Sequence, residues 1–170
     1  MAGSAAPDRL LAIYLNDHLA GSTVGVELAR RMRSSNEGDT EFGEPLATIC
    51  EEIEADRATL ERLMERLDVG RSRLKTTGAY VAEKLGRLKL NGQLTGYSPL
   101  SRVVELETLT SGVGGKLRLW RALASTLGVT VEGFDFDALA TRAERQISRL
   151  EDLHRRATLH AFPRRRADFR

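Results

Sequence analysis

The stretch PLATICEEIEADRATLERLMERLDVG, residues 45–70, decides the fold of this 170-residue chain. Apolar residues recur in it at alternating steps of three and four, which is the spacing of one buried helix face. A single carboxylate interrupts the apolar stripe near its centre. The stripe comprises Leu46, Ile49, Ile53, Asp56, Leu60, Leu63 and Leu67. We therefore predict a helix from Pro45 to about Val69–Gly70, with Asp56 buried and hydrogen-bonded on its inward face.

Three further segments show the same helical periodicity and have similar lengths. The first runs from about Asp8 to Arg33. The third runs from Pro99 to Leu127, after a Ser98 cap, and the fourth runs from an Asp135 cap to about Ala161. No segment alternates with a period of two, so we predict no sheet. The inward residues are predicted to be Leu11, Tyr14, Leu28 and Met32, then Leu106, Leu109, Val113, Leu117, Trp120, Ala124 and Leu127, then Phe136, Leu139, Ala143, Ile147, Leu150, His154 and Ala157.

A shorter helical piece, Ser72 to Leu90, lies between the second and third long helices. Such a link is long enough to run the length of a bundle. We therefore predict an all-α, antiparallel four-helix bundle with one helical crossover, formed by residues 1–162 and followed by a basic tail at 163–170. This layout resembles the ferritin-like superfamily.

The resemblance implies a metal site between the helices, because di-iron members carry Glu on two helices and Glu-x-x-His on the other two. In this chain Glu-x-x-His occurs once, from Glu151 to His154. The resemblance therefore implies a divergent member with a degenerate site, and iron or manganese would be its metals. The polar side chains that such a site could use are His18, Asp56, Glu105, Glu151 and His154.

Helical-wheel angles place His18, Asp56, His154 and Glu105 nearest to the apolar faces. Buried polar groups need hydrogen-bond partners, and by height along the helices His18 is the candidate partner for Asp56. A buried His18–Asp56 pair is therefore the structural alternative to a metal site.

Small residues cluster on two helices. Gly21, Ser22 and Gly25 lie on the first helix, and Ser111, Gly112 and Gly115 lie on the third. Glycine inside a helix costs roughly 1 kcal/mol relative to alanine, so some compensation is expected. We predict that the two helices pack closely there, and the alternative is a ligand held against the backbone.

The positive charge of the chain is concentrated at its C-terminus. Residues 154–170 contain six arginines and one acidic residue, whereas residues 1–153 carry a net charge of −3. The arginines are Arg155, Arg156, Arg164, Arg165, Arg166 and Arg170. Such a run is either a solvated terminus or a site for an anionic partner, which would be a nucleic acid, an acidic protein or a second copy of this chain.

The composition favours a cytoplasmic protein without a membrane partner. No apolar run approaches the ~20 residues that a membrane helix needs, and the single cysteine, Cys50, excludes an internal disulfide. No catalytic motif is complete. We therefore expect a non-catalytic binding or scaffold protein, with a metal-dependent oxidase or a metal-storage protein as the alternative, and anion binding through the tail as a second alternative.

Overall fold

The computed structural model describes residues 9–71, 97–128, 130–131 and 133–162. Within these ranges the chain forms four long helices: α1 (Arg9–Ser35), α2 (Gly43–Arg66), α3 (Pro99–Leu127) and α4 (Phe136–Ala161). The all-α class is thus confirmed. The proposed crossover at 72–90 and the tail at 163–170 lie outside the described residues.

The predicted caps define where α3 and α4 begin. The Ser98 side chain accepts a hydrogen bond from the backbone N–H of Ser101 (3.0 Å), and Pro99 occupies the first turn of α3. The Asp135 side chain accepts one from the backbone N–H of Ala138 (2.9 Å) at the start of α4. A polar side chain that satisfies a free N–H of the first turn specifies where a helix begins, so both starts follow from local sequence.

The second helix ends earlier than its apolar pattern predicts. Asp68 adopts a positive φ of 54°, and the backbone N–H of Val69 bonds to the carbonyl of Met64 (2.9 Å). This left-handed turn satisfies a carbonyl of the last helical turn. Leu67 and Val69 therefore pack beyond the helix end, and α2 stops at Arg66.

The prediction of no sheet needs a small correction in the α3–α4 connection. A short strand β1 (Thr130–Val131) pairs antiparallel with β2 (Phe134–Asp135). Gly133 supplies a positive φ of 85° in the turn between them. Two residues per strand are too few to produce a visible alternation in sequence.

A single apolar core is shared by all four helices. Its largest fully buried side chains include Leu15 of α1, Ile49 of α2, Trp120 of α3 and Phe136 of α4. The Trp120 and Phe136 rings stack with their centroids 6.4 Å apart. None of the described helices combines the length and the apolar character needed to cross a membrane.

The inward faces of α3 and α4 differ in part from the predicted stripes. Leu119 and Leu123 are buried where the pattern predicted Leu117 and Ala124. In α4, Leu153 is buried, whereas a third of the His154 side chain is exposed. The prediction of an inward His154 is therefore wrong, because Leu153 and Ala157, four residues apart, are the ones that face the core.

Pairs of polar residues link the helices in a regular order. Between α1 and α2, Arg30 binds Glu54 (2.6 Å) and Asn16 binds the carbonyl of Gly70 (3.1 Å). Between α3 and α4, Arg121 binds Glu144 (2.5 Å) and His154 lies 3.0 Å from Glu107. In both helix pairs, residues later in one helix contact residues earlier in the other.

Candidate functional site

Asp56 lies in the core and has charged partners. The residue is 3% exposed, and its carboxylate accepts hydrogen bonds from Lys116 Nζ and Arg142 Nη2. Gln146 Nε2 donates a third bond at 3.1 Å. The predicted burial and hydrogen bonding of Asp56 are therefore confirmed, and three partners from α3 and α4 surround it.

The predicted pairing of Asp56 with His18 is corrected by these contacts. His18 is half-buried and packs edge-on against the Tyr14 ring, with centroids 4.6 Å apart. Burial lowers the pKa of His18, although nearby Asp17 opposes the shift. A cation neutralises a buried carboxylate better than a neutral imidazole does, which accounts for the preference of Asp56 for Lys116.

A sequence signal for Lys116 exists but was missed. Lys116 follows Val113 by three residues and precedes Trp120 by four, so it lies on the same buried face. The predicted stripe included its neighbour Leu117 instead. Gln146 is likewise three residues after Ala143 and four before Leu150, and it is fully buried.

The contacts of Gln146 extend the cluster around Asp56. Gln146 Oε1 accepts from Lys116, and its Nε2 also donates to Glu52 (3.0 Å), which binds Arg149. Burial lowers the pKa of Lys116, and the attraction of Asp56 acts in the opposite direction. The cluster thus joins α2, α3 and α4 through charged groups.

Beside this cluster, a cavity of about 430 Å³ separates α1 from α3. Four helix glycines line it: Gly21 and Gly25 from α1, and Gly112 and Gly115 from α3. A Cβ added at any of the four would meet no other heavy atom of the described residues within 4 Å. The predicted close packing is therefore wrong, because the missing side chains leave open space between the helices.

The cavity wall is mainly apolar, with a few polar groups. Leu28, Ile53 and Leu109 contribute to the apolar wall, and Lys116 and Asp56 reach it from the buried cluster. Trp120 also lines the cavity and is 1% exposed. Its indole Nε1 has no hydrogen-bond partner among the residues that the structure describes.

A second buried carboxylate, Glu105, lies toward the end of the molecule where α1 ends. Glu105 is fully buried, binds Arg31 of α1 and accepts a hydrogen bond from the Tyr97 hydroxyl (2.9 Å). Burial raises the pKa of Glu105, and the bonds from Tyr97 and Arg31 only partly oppose the shift. Burial and the nearby Glu105 carboxylate also raise the pKa of Tyr97.

Arg102 ties the same end of α3 to the loop between α1 and α2. Its guanidinium donates to Asn36 Oδ1 (2.7 Å) and Asp39 Oδ2 (3.0 Å). The group also lies 4.0 Å above the centre of the Phe42 ring. Asn36 Nδ2 lies 3.3 Å from the Tyr97 hydroxyl, which links this contact to the Glu105 network.

The predicted metal residues are not brought together. Asp56 binds Lys116, Glu105 binds Arg31, and Glu151 is exposed. His154 pairs with Glu107 on the surface, and His18 contacts Tyr14. In the ranges covered by the structure, no three His, Cys, Asp or Glu side chains form a group that could hold a metal ion.

Two of the six arginines predicted to bind anions lie in the described part of α4. Arg155 and Arg156 both bind Asp152, one turn earlier in the same helix. Two of the six arginines are therefore paired with a carboxylate of α4 itself. Arg164, Arg165, Arg166 and Arg170 lie outside the described residues, so anion binding through the tail stays a prediction.

Comparisons with known proteins do not assign the chain to a family. No protein-family model matches it, and neither a curated protein nor a solved structure does so.

Proposed function

We propose that this protein is a non-catalytic binding protein whose cavity between α1 and α3 holds a small apolar molecule. The observation that carries the proposal is the open space left by four helix glycines. Each such glycine costs roughly 1 kcal/mol relative to alanine, and a Cβ at any of them would touch none of the other helices that the structure describes. The volume of the cavity and its mainly apolar wall are typical of sites for small molecules.

The proposal includes an antiparallel four-helix bundle of ferritin-like layout. The order of the contacts between α1 and α2, and between α3 and α4, supports two antiparallel hairpins. Gly70 lies beside Asn16 of α1, whereas Tyr97 lies beside Asn36, just after α1. These contacts are about 30 Å apart along α1 at ~1.5 Å per residue, which supports one crossover along the bundle.

A neutral fluorescent probe, N-phenyl-1-naphthylamine, tests the proposal. Its emission rises when it leaves water for an apolar site, so a titration of the full chain reports binding. We expect saturable binding with one site per chain. Gly25→Leu combined with Gly115→Leu would fill the cavity and should weaken binding at least tenfold, about 1.4 kcal/mol of binding free energy.

Gly114→Leu is the matched control for the filled variant. Gly114 lies on the same helix but outside the cavity wall, and a Cβ there meets only the flexible end of Arg118, at 3.3 Å. This control should bind the probe like the unmodified chain. Equal binding by the filled variant, with helicity and melting temperature retained, would contradict the proposal, as would the absence of saturable binding to the unmodified chain.

A further inference from the structure

Two hydrogen-bond donors at the buried side of the cavity, on Trp120 and Lys116, have room for a further acceptor. The indole N–H of Trp120 is buried and has no acceptor within the described chain. Lys116 carries three N–H donors, of which Asp56 and Gln146 take two. The third has no acceptor among the residues that the structure covers, and 16% of the Lys116 side chain is exposed. A buried donor without an acceptor is costly, so a ligand that supplies an acceptor would satisfy the Trp120 N–H and give Lys116 a further partner.

Most of the acceptor sites of Asp56 are already in use. One of its oxygens accepts from Arg142 and the other accepts from Lys116 and Gln146. The Gln146 carbonyl accepts from Lys116 as well. A carboxylate offers about four acceptor sites, so Asp56 retains about one for a ligand that carries a donor.

The charged groups that line the cavity balance one another. They are the carboxylates Asp17 and Asp56 and the cations Arg57 and Lys116. The rest of the wall is mainly apolar, so a ligand that offers an acceptor to Lys116 must also carry an apolar body.

We infer that the cavity binds an amphipathic carboxylate, whose hydrocarbon part fills the space left by the glycines and whose carboxylate meets Lys116 and Trp120. This inference rests on the proposed binding function and narrows its ligand class. A carboxylate supplies two acceptor oxygens in one group, and its hydrogen bond to the Lys116 ammonium is charge-assisted, so one group serves both donors.

A matched pair of ten-carbon ligands, decanoate and decanol, isolates the contribution of the carboxylate. Trp120 is the only tryptophan of the chain, so its emission reports contact at the cavity directly. We expect decanoate to shift the Trp120 emission and to bind about tenfold more tightly than decanol, since hydrogen bonds to charged groups are the stronger ones.

Two variants locate the carboxylate. Lys116→Gln removes the cation and should bring decanoate binding to the level of decanol. Trp120→Phe keeps an aromatic ring and removes the N–H. Because this variant has no tryptophan emission, binding is followed by displacement of N-phenyl-1-naphthylamine. We expect decanoate to bind several-fold more weakly to it and decanol to bind as before. Arg118→Gln is the charge-matched control, because Arg118 lies on the same helix outside the cavity wall and is exposed. It should leave both affinities unchanged.

The outcomes separate the inference from the proposed function. Equal binding of decanoate and decanol overturns the carboxylate inference and leaves the proposed function standing. The carboxylate inference is also overturned if Arg118→Gln loses the preference for decanoate over decanol while Lys116→Gln keeps it, since the carboxylate would then not bind at Lys116. If neither ligand nor the neutral probe binds, both proposals fail. Light scattering that shows a dimer disrupted by the cavity-filling variant would assign the space to a second copy and overturn both.

Discussion

Helix α3 meets its two neighbours in opposite ways. Toward α4 it is tightly filled: Trp120 stacks on Phe136, and α4 buries small alanines such as Ala143 in the shared core. Toward α1, Gly112 and Gly115 line the cavity from one side, and Gly21 and Gly25 of α1 line it from the other. The space between the two helices stays open. Small residues therefore permit close packing only where the neighbouring helix fills the space. Where both helices omit their side chains and stay apart, a cavity results.

The largest expected effect comes from the charged cluster around Asp56, which joins α3 to α2 and α4. Asp56→Ala leaves Lys116 and Arg142 partly buried without their counter-charge, and removing one partner of a buried pair destabilises by about 3–5 kcal/mol. Urea unfolding should show this loss. Glu144→Ala breaks the exposed pair with Arg121 and should cost at most about 1 kcal/mol. Similar losses in both variants would contradict a buried role for Asp56.

A pH-dependent effect is expected from Glu105, where α3 meets α1 without a cavity. Burial raises its pKa above the ordinary 4.5, so the folded chain binds a proton more tightly than the unfolded chain. This carboxyl therefore lowers stability as pH rises from about 4.5 through the folded pKa. The unfolding free energy of the unmodified chain, relative to Glu105→Gln, should fall across that window.

Glu107→Gln is the matched control for the pH experiment. Glu107 lies two residues later on α3, with more than half of its side chain exposed. Because this exposed carboxyl is solvated in the folded and the unfolded chain alike, its substitution should leave the profile of unfolding free energy against pH nearly parallel to that of the unmodified chain. If the profile of Glu105→Gln is also parallel to that of the unmodified chain, burial does not raise the pKa of Glu105.

A smaller effect of opposite sign is expected on the open face. Gly25→Ala and Gly112→Ala should each stabilise the chain by about 0.5–1 kcal/mol, because alanine favours the helix and its Cβ would meet no atom of the described residues within 4 Å. Gly43→Ala should destabilise, since its Cβ would lie 2.9 Å from the carbonyl oxygen of Asn36. Chemical denaturation measures all three. Destabilisation by both cavity substitutions would show that α1 and α3 do pack closely.

The smallest effect is expected at His154, which the sequence pattern placed inside. His154→Ala removes only a partly exposed contact with Glu107 and should change stability by less than about 0.5 kcal/mol. Leu153→Ala, one residue earlier, should cost about 2–5 kcal/mol, since Leu153 is 3% exposed. Thermal melts of the two variants compare these losses directly. A larger loss of stability in His154→Ala than in Leu153→Ala would show that His154 lies in the core.

Local chemistry accounts for what could be predicted from the sequence. Ser98 and Asp135 cap the helices that follow them, and the periodic stripe of α2 places Asp56 in the core. The partner of Asp56 could not be predicted in this way, because it depends on which helices are neighbours and at what height. A helical wheel gives directions around one axis and no distance between axes, so it could not distinguish a glycine contact from a glycine-lined cavity.

The position of Arg102 has a consequence for the order of folding. Its guanidinium joins α3 to Asn36 and Asp39, residues 66 and 63 positions earlier. The contacts between α1 and α2, and those between α3 and α4, span shorter separations, whereas the Arg102 contact requires a longer loop to close and therefore forms at a greater entropic cost. We expect these two helix pairs to form first and the Arg102 contact to mark their docking. Replacing this arginine should then accelerate unfolding far more than it slows refolding.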